Sequence, residues 1–357
     1  MLAPTQQHLS RFVILAAALV LIVGGLEQAQ SVLASFLVSV FFAVLAAQPV
    51  FWLERHRVPV LLAVLLVVLG MVVILLGAGV IIGSSLTDFY TGMPEYQARI
   101  QEHVVDFKAY LASKNLGLPD DILQGYLNPG AVMNLTAGLF VGLGSVISDI
   151  VLILLTVTFI LLEATSFPIK LRAVLGNPRQ AFPQFTRFVN DMKRYMVIKT
   201  LISLGTGVLI SAWLTVMGVD FPILWGFLAF LLNYVPSIGS TVAGIPAVLL
   251  ALVQLGVWRA VVVAAGYMCV NFVLDYGIET RLMGRKLGLS TLVVFLSLIV
   301  WGSLLGPVGA VLCIPLTMTL KFAFESNQET RWIAVLLGPE DLAENLPPES
   351  KKPVRPS

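Results

Sequence analysis

Asn271, Asp275 and Glu279 recur every four residues in and just beyond the apolar stretch 258–276. That interval puts them on one helical face. An acid at membrane depth is a functional candidate, because burying its charge is costly. Asp275 is placed to take a proton or a cation, or to pair with Arg281 at the membrane interface. Upstream, "NYVPSIGSTVAGIP" fills 233–246 in the middle of a second apolar run. Pro236 removes a backbone donor and clashes with the preceding turn, while Gly239 tolerates close approach. Ser237, Ser240 and Thr241 are candidates to cap a following half-helix. The open N–H groups and dipole of that half-helix would draw a polar or anionic group. Asn233 and Tyr234 close the preceding half and carry groups suited to a hydroxylated solute. Gly306, Pro307 and Gly309 form a similar break in a third apolar run. One such kink alone would read as a proline bend with hydroxyls answering nearby carbonyls. Two matched breaks point to transport.

Other polar residues near the spans read more plainly. Tyr195 and Lys199 stand one turn apart where an apolar helix begins, as interfacial anchors do, and Glu163 is a partner for Lys199. Glu279, Arg281 and Gly284 are candidates for hinge or interfacial contacts. His8, His56 and His103 all lie outside the apolar spans, which excludes an intramembrane serine–histidine dyad or a His-Glu-x-x-His metal site. No phosphate-binding Gly-x-x-x-x-Gly-Lys-Ser/Thr loop occurs, and Cys269 and Cys313 read as small buried apolar residues. No enzyme, cofactor, metal or nucleic-acid partner is expected.

The elements that hold these residues follow from composition. The chain of 357 residues is 58% hydrophobic and 12% charged, against about a quarter charged in ordinary globular domains. No Asp, Glu, Lys or Arg occurs in 12–26, 31–53, 60–87, 222–258 or 291–320, so a multi-pass membrane protein is expected. Spanning helices are read at about 10–27, 31–53, 59–85, 141–163, 197–217 and 258–276, the first kept as a helix and not a cleaved signal. In 94–112, Tyr96, Ile100, Val104, Phe107 and Leu111 recur at three and four, giving an amphipathic arm.

Basic residues set the orientation. The link 164–199 holds seven Lys or Arg and one acid, whereas 86–140 holds three basic residues and six acids. The first faces the cytoplasm and the second faces outward. The stretch 222–255 would measure roughly 50 Å as one helix against a hydrocarbon core of about 30 Å, and 291–320 is also too long. Folding each back at its break, from opposite sides of the membrane, puts Arg281, Arg285 and Lys286 inside together with both termini. Arg259 is then left outside, against the trend.

The expected fold is all-α and integral to the membrane. It has about six spanning helices, two re-entrant helical hairpins of opposite orientation and an external amphipathic arm. Its regions are 1–85, with helices one to three; the external 86–140; 141–218, with helices four and five and the basic link 164–196; the hairpin-bearing core 219–322; and a cytoplasmic tail, 323–357.

"FLLNYVPSIGS" and the later "ETRLMGRKLGLSTLVVFLSLIVWGSLLGPVGAVLCIPLTMTLKFAFE" resemble the autoinducer-2 exporter family of bacterial inner-membrane permeases. Asn233, Pro236, Ile238 and Gly239 carry one motif. Glu279, Arg281, Met283, Gly284, Leu287, Gly288, Leu289 and Ser290 carry a second, and Trp301, Gly306, Pro307, Gly309 and Pro315 a third. Thr280 departs from it, standing where the family usually has proline. The resemblance implies secondary transport of a small polar solute, autoinducer-2 among the candidates, in a homo-oligomer (pentamers are described) surrounded by lipid. Other members are associated with sodium–proton exchange, so cation–proton antiport, with Asp275 as the acid that would serve it, is the alternative. A non-transporting membrane scaffold is a third.

Overall fold

The computed structural model describes residues 17, 18, 21, 24–113, 150–175, 183–236, 238–283, 288–327 and 329–339. Most of the first expected helix, much of the external region, Ser237, Gly284 and the tail from 340 lie outside them. Among the described residues every regular element is helical. The helices are α1 (Gln30–Arg55), α2 (Val60–Ser113), α3 (Ile150–Leu175), α4 (Pro183–Met217), α5 (Pro222–Leu232), α6 (Gly239–Leu255) and α7 (Val257–Asn271). A π-helical segment, Phe272–Glu279, continues α7, and α8 (Thr280–Met283), α9 (Thr291–Glu325) and α10 (Arg331–Leu336) follow. Among the described residues six stretches are, by length and composition, long and apolar enough to cross a membrane: Gln30–Arg55, Val60–Arg99, Ile150–Phe167, Phe185–Met217, Val257–Glu279 and Thr291–Glu325.

The chain divides into two compact units. One is built from Met1–Gln48, Leu152–Lys193 and Arg285–Ser357, the other from Pro49–Val151 and Arg194–Gly284. In the second unit α5 and α6 pack on each other, on α2 and, through α6, on α7. Trp225, Phe89, Ile210, Leu214 and Val263 fill the space between them, and Ala243, Ala247 and Ala251 let α6 approach closely. The first half of α2 carries Leu61, Leu65, Leu69, Val73, Leu76 and Val80 on its surface. Exposure of that kind suits lipid, whereas a soluble domain rarely shows so large a patch.

Three expected boundaries move. The fourth helix, expected to end near 163, runs to Leu175 inside the basic link. The helix expected to end near 85 runs on to Ser113, so the amphipathic arm is its continuation and no break separates them. Charge ends a membrane span without ending a helix, and Pro94 is tolerated inside. The fifth expected helix begins at Pro183, inside the link, well before 197.

Neither long apolar stretch is a straight rod. The first loses helical structure between Leu232 and Gly239. Its two ends meet: the backbone N–H of Asp220 donates to Gln254 Oε1 at 3.1 Å, although a continuous helix would hold these residues about 50 Å apart. The second bends at Gly306, whose φ of 63° and ψ of −148° are not helical. Trp301 Nε1 donates to Thr317 Oγ1 at 3.0 Å, across sixteen residues that would span about 24 Å if straight. Lys321 Nζ donates to the Gly288 carbonyl at 2.6 Å. Each stretch therefore doubles back, and the halves of α9 are two short helices joined at Gly306.

Candidate functional site

The first break lies in the second unit, beside α4 and the π-helical segment. It forms because Pro236 cannot continue α5 and because the chain reverses tightly enough that a Cβ on Gly239 would strike the Leu232 carbonyl oxygen. Only glycine fits there. Ile238 stands at the N-cap of α6 and, among the described residues, no side-chain hydrogen bond caps that end; the expected cap Ser237 lies outside them. The expected capping role of Ser240 and Thr241 is thus not seen. Thr241 is exposed, and buried Ser240 donates instead to Asp275 Oδ2 at 3.5 Å. A carboxylate therefore faces the first turn of α6, where the helix dipole favours negative charge.

Asn233 and Tyr234 are buried and turn to α4. The Asn233 amide donates to Ser203 Oγ at 3.2 Å and to Thr206 Oγ1 at 3.5 Å. The Tyr234 hydroxyl donates to Thr200 Oγ1 at 2.8 Å. One residue before Thr200, Lys199 is 4% exposed. Its ammonium donates to both oxygens of Glu279, at 3.0 and 2.9 Å. Removing one member of a buried pair leaves an uncompensated charge and costs about 3–5 kcal/mol. Arg194, at the same end of α4, donates to the Leu282 carbonyl at 3.2 Å. One face of α4 thus grips both the break and the far end of the π-helical segment.

The expected pairing of Lys199 with Glu163 and the expected shared face of Asp275 and Glu279 both change. Lys199 pairs with Glu279, and Glu163 pairs with Lys170 at 2.8 Å on an exposed surface. Asp275 and Glu279 turn to different helices, α6 and α4. Bonding from i to i+5 widens each turn, so a spacing of four no longer stacks residues as in an α-helix. Arg281 is exposed and Tyr195 is buried. Asn271 precedes the π-helical segment, and its Oδ1 is buried with no hydrogen-bond partner among the described residues, as is the Tyr267 hydroxyl one turn earlier. A Cβ on Gly244 would press on the Tyr267 ring, so α6 is shaped to receive it.

The base of the same hairpin is closed by residues that sequence reasoning did not single out. Asp220 accepts from Tyr96 at 2.8 Å and from the side-chain amide of Gln254. Arg99 donates to the Gln254 carbonyl at 2.9 Å. The polar half of α2 is therefore fastened to both ends of the doubled-back stretch. Thr200, Ser203 and Thr206 were also missed, yet a signal was present. Lys199, Ser203 and Thr206 are separated by four and three, a polar stripe along an otherwise apolar helix. No comparable pattern marks Asp220 and Gln254, which are joined only by the fold.

The second break lies in the first unit. A Cβ on Gly309 would strike the Trp301 carbonyl oxygen, and one on Gly306 would meet the Gln30 side-chain amide at 3.0 Å. Pro307 is exposed. Thr317 and Lys321 are buried between the halves, and Phe188 stacks on Phe322 with ring centroids 4.6 Å apart. The site residues read from the sequence therefore fall into two groups, with Asn233–Asp275 in one unit and Gly306–Gly309 in the other.

The model of one protein family, described as "AI-2E family transporter", matches residues 12–328. Among relatives, the AI-2 transport protein TqsA of Escherichia coli (strain K12) is 40% identical over 329 residues, covering 92% of this chain and 95% of that protein. YhhT of the same organism, named as a candidate transport protein, is 34% identical over 331 residues, or 93% of this chain and 95% of its own. A Haemophilus influenzae protein with the same kind of name is 36% identical over 338 residues, covering 93% and 97%.

Proposed function

The chain belongs to the AI-2E family of transporters, and from that premise we propose that it exports a small, uncharged, hydroxyl-bearing solute across the bacterial inner membrane. Autoinducer-2 is the first candidate, since one relative is named for its transport. The observation that carries the reading is the Asn233–Ser240 break, an interruption in an apolar helix lined by Ser203, Thr206, Thr200 and Asp275. Irregular backbone at membrane depth survives only when buried in protein or facing a wet cavity, and interrupted helices are where transporters hold their cargo. Asp275 already occupies the end of α6 that would attract an anion, which favours an uncharged solute. In this account the two doubled-back stretches enter from opposite leaflets, 86–113 lies outside, both termini are cytoplasmic and the breaks alternate in access. Identical subunits assemble around this core.

The test is efflux in inverted vesicles with autoinducer-2 as the probe, alongside a panel of neutral and anionic metabolites. Asn233→Leu and Asp275→Asn should each lower neutral-solute flux at least tenfold while leaving the protein inserted and assembled. Unchanged flux in both variants would remove the break from the transport path. A second reading, cation–proton antiport, draws on the placing of Asp275 beside Ser240. Sodium-driven proton movement in proteoliposomes without organic solute, lost in Asp275→Asn, would replace the first reading with that one.

A further inference from the structure

The π-helical segment has no local cause. Residues 272–279 read "FVLDYGIE", eight positions without proline, and sharp departures from α-helix normally trace to proline, small-residue pairs or inserted groups. π turns elsewhere are mostly single-turn bulges, frequent at functional sites. The α-helical register before it (α7) and after it (α8) is ordinary. What holds the wide turns must therefore come from outside the segment. Among the side-chain ties that reach it or its end are three from other helices: Ser240 to Asp275, Lys199 to Glu279 and Arg194 to the Leu282 carbonyl. Two of the three come from α4, less than two turns apart.

We propose that Lys199 is a positioning residue which, by gripping both carboxylate oxygens of Glu279, holds segment 272–279 in its widened form and so keeps Asp275 on Ser240 at the first turn of α6. The Lys199 ammonium is nearly inaccessible to solvent, and both of its bonds go to the same carboxylate. Without it, Glu279 has no reason to face α4. The segment can then rewind toward α-helical spacing, which turns Asp275 relative to Glu279 and away from α6. Thr200 is the next residue on α4 and holds Tyr234 at the other side of the break. One turn of α4 therefore sets the distance between the break and the acid that faces it. The exposed Glu163–Lys170 pair makes no such link.

This proposal rests on the transport reading only for its meaning, because its test does not need a solute. Ser240→Cys and Asp275→Cys are introduced together, with Cys269→Ser and Cys313→Ser to remove the two native thiols, and disulfide formation is followed in full-length protein in membranes. A second pair, Asp220→Cys with Gln254→Cys, reports whether the hairpin base is still folded. The account expects the 240–275 link to form readily with Lys199 or Lys199→Arg and at least tenfold more slowly with Lys199→Met, while the 220–254 link is unaffected. Equal 240–275 rates with Lys and Met overturn it. If Lys199→Met also loses the base link, the charge exchange Lys199→Glu with Glu279→Lys decides. Recovery of both links supports the positioning role, and recovery of the base link alone contradicts it. If cross-linking behaves as expected but Asp275→Asn leaves every flux unchanged, the proposed function fails and the positioning role stands.

Discussion

The two doubled-back stretches are built on the same backbone device and furnished differently. In each, a glycine lies so close to an earlier turn that a Cβ would strike its carbonyl: Gly239 against Leu232, seven residues back, and Gly309 against Trp301, eight back. In each, the ends of the stretch are tied together, by Asp220 with Gln254 and by Lys321 with Gly288. The furnishing diverges at the bend. The first loses six residues of helix, and its own Asn233 amide and Tyr234 and Ser240 hydroxyls meet hydroxyls of α4 and the Asp275 carboxylate. The second interrupts its helix at Gly306, and its Trp301–Thr317 bond joins one half of the hairpin to the other. Reversal of the chain is thus a packing problem solved by glycine. A binding site needs polar groups brought from elsewhere, and α4 brings Thr200, Ser203 and Thr206 to the first bend.

Substitutions that strike both stretches alike, or only one, sharpen this contrast. The largest effect is expected from Lys199. Lys199→Met leaves Glu279 buried and unpaired and should lower stability by about 3–5 kcal/mol. Lys321→Met removes a donor from the Gly288 carbonyl and a partner from half-exposed Glu325, and should cost about 1–3 kcal/mol. Thermal unfolding in detergent compares them, and equal losses would mean that the first bend depends no more on its charged partner than the second does. Equal in the two stretches, and no smaller than the Lys321 effect, should be Gly239→Ala and Gly309→Ala, each costing about 3 kcal/mol, because the added Cβ meets backbone and not a movable side chain. A glycine variant that melts like the parent protein would show that its turn is looser than these contacts imply.

Much of this architecture was legible in the sequence because its signals are local. Uncharged runs mark apolar helices, and Pro236, Gly239, Gly306 and Pro307 mark where two of them cannot continue. What escaped depends on partners distant in the chain. The polar residues after Leu86 suggested a new element, yet Asp88–Ser113 is as helical as the apolar half before it, since solvent changes at a membrane surface while hydrogen bonding along the helix does not. The stripe Asn271–Asp275–Glu279 assumed α-helical spacing, and nothing in its own residues reveals the wider turns that send the two acids to different helices. Lys199 was read with Glu163, near it only at the level of membrane topology. Its actual partner, 80 residues away, is set by the packing of α4.

Opposed entry of the two stretches is the claim on which the transport account turns. It is tested by thiol labelling in intact cells of a chain lacking Cys269 and Cys313, carrying either Trp258→Cys, beside the base of the first hairpin, or Lys286→Cys, before the second. A membrane-impermeant reagent should label position 258 from outside and reach position 286 only after permeabilisation. Labelling of both positions from the same side would contradict the account.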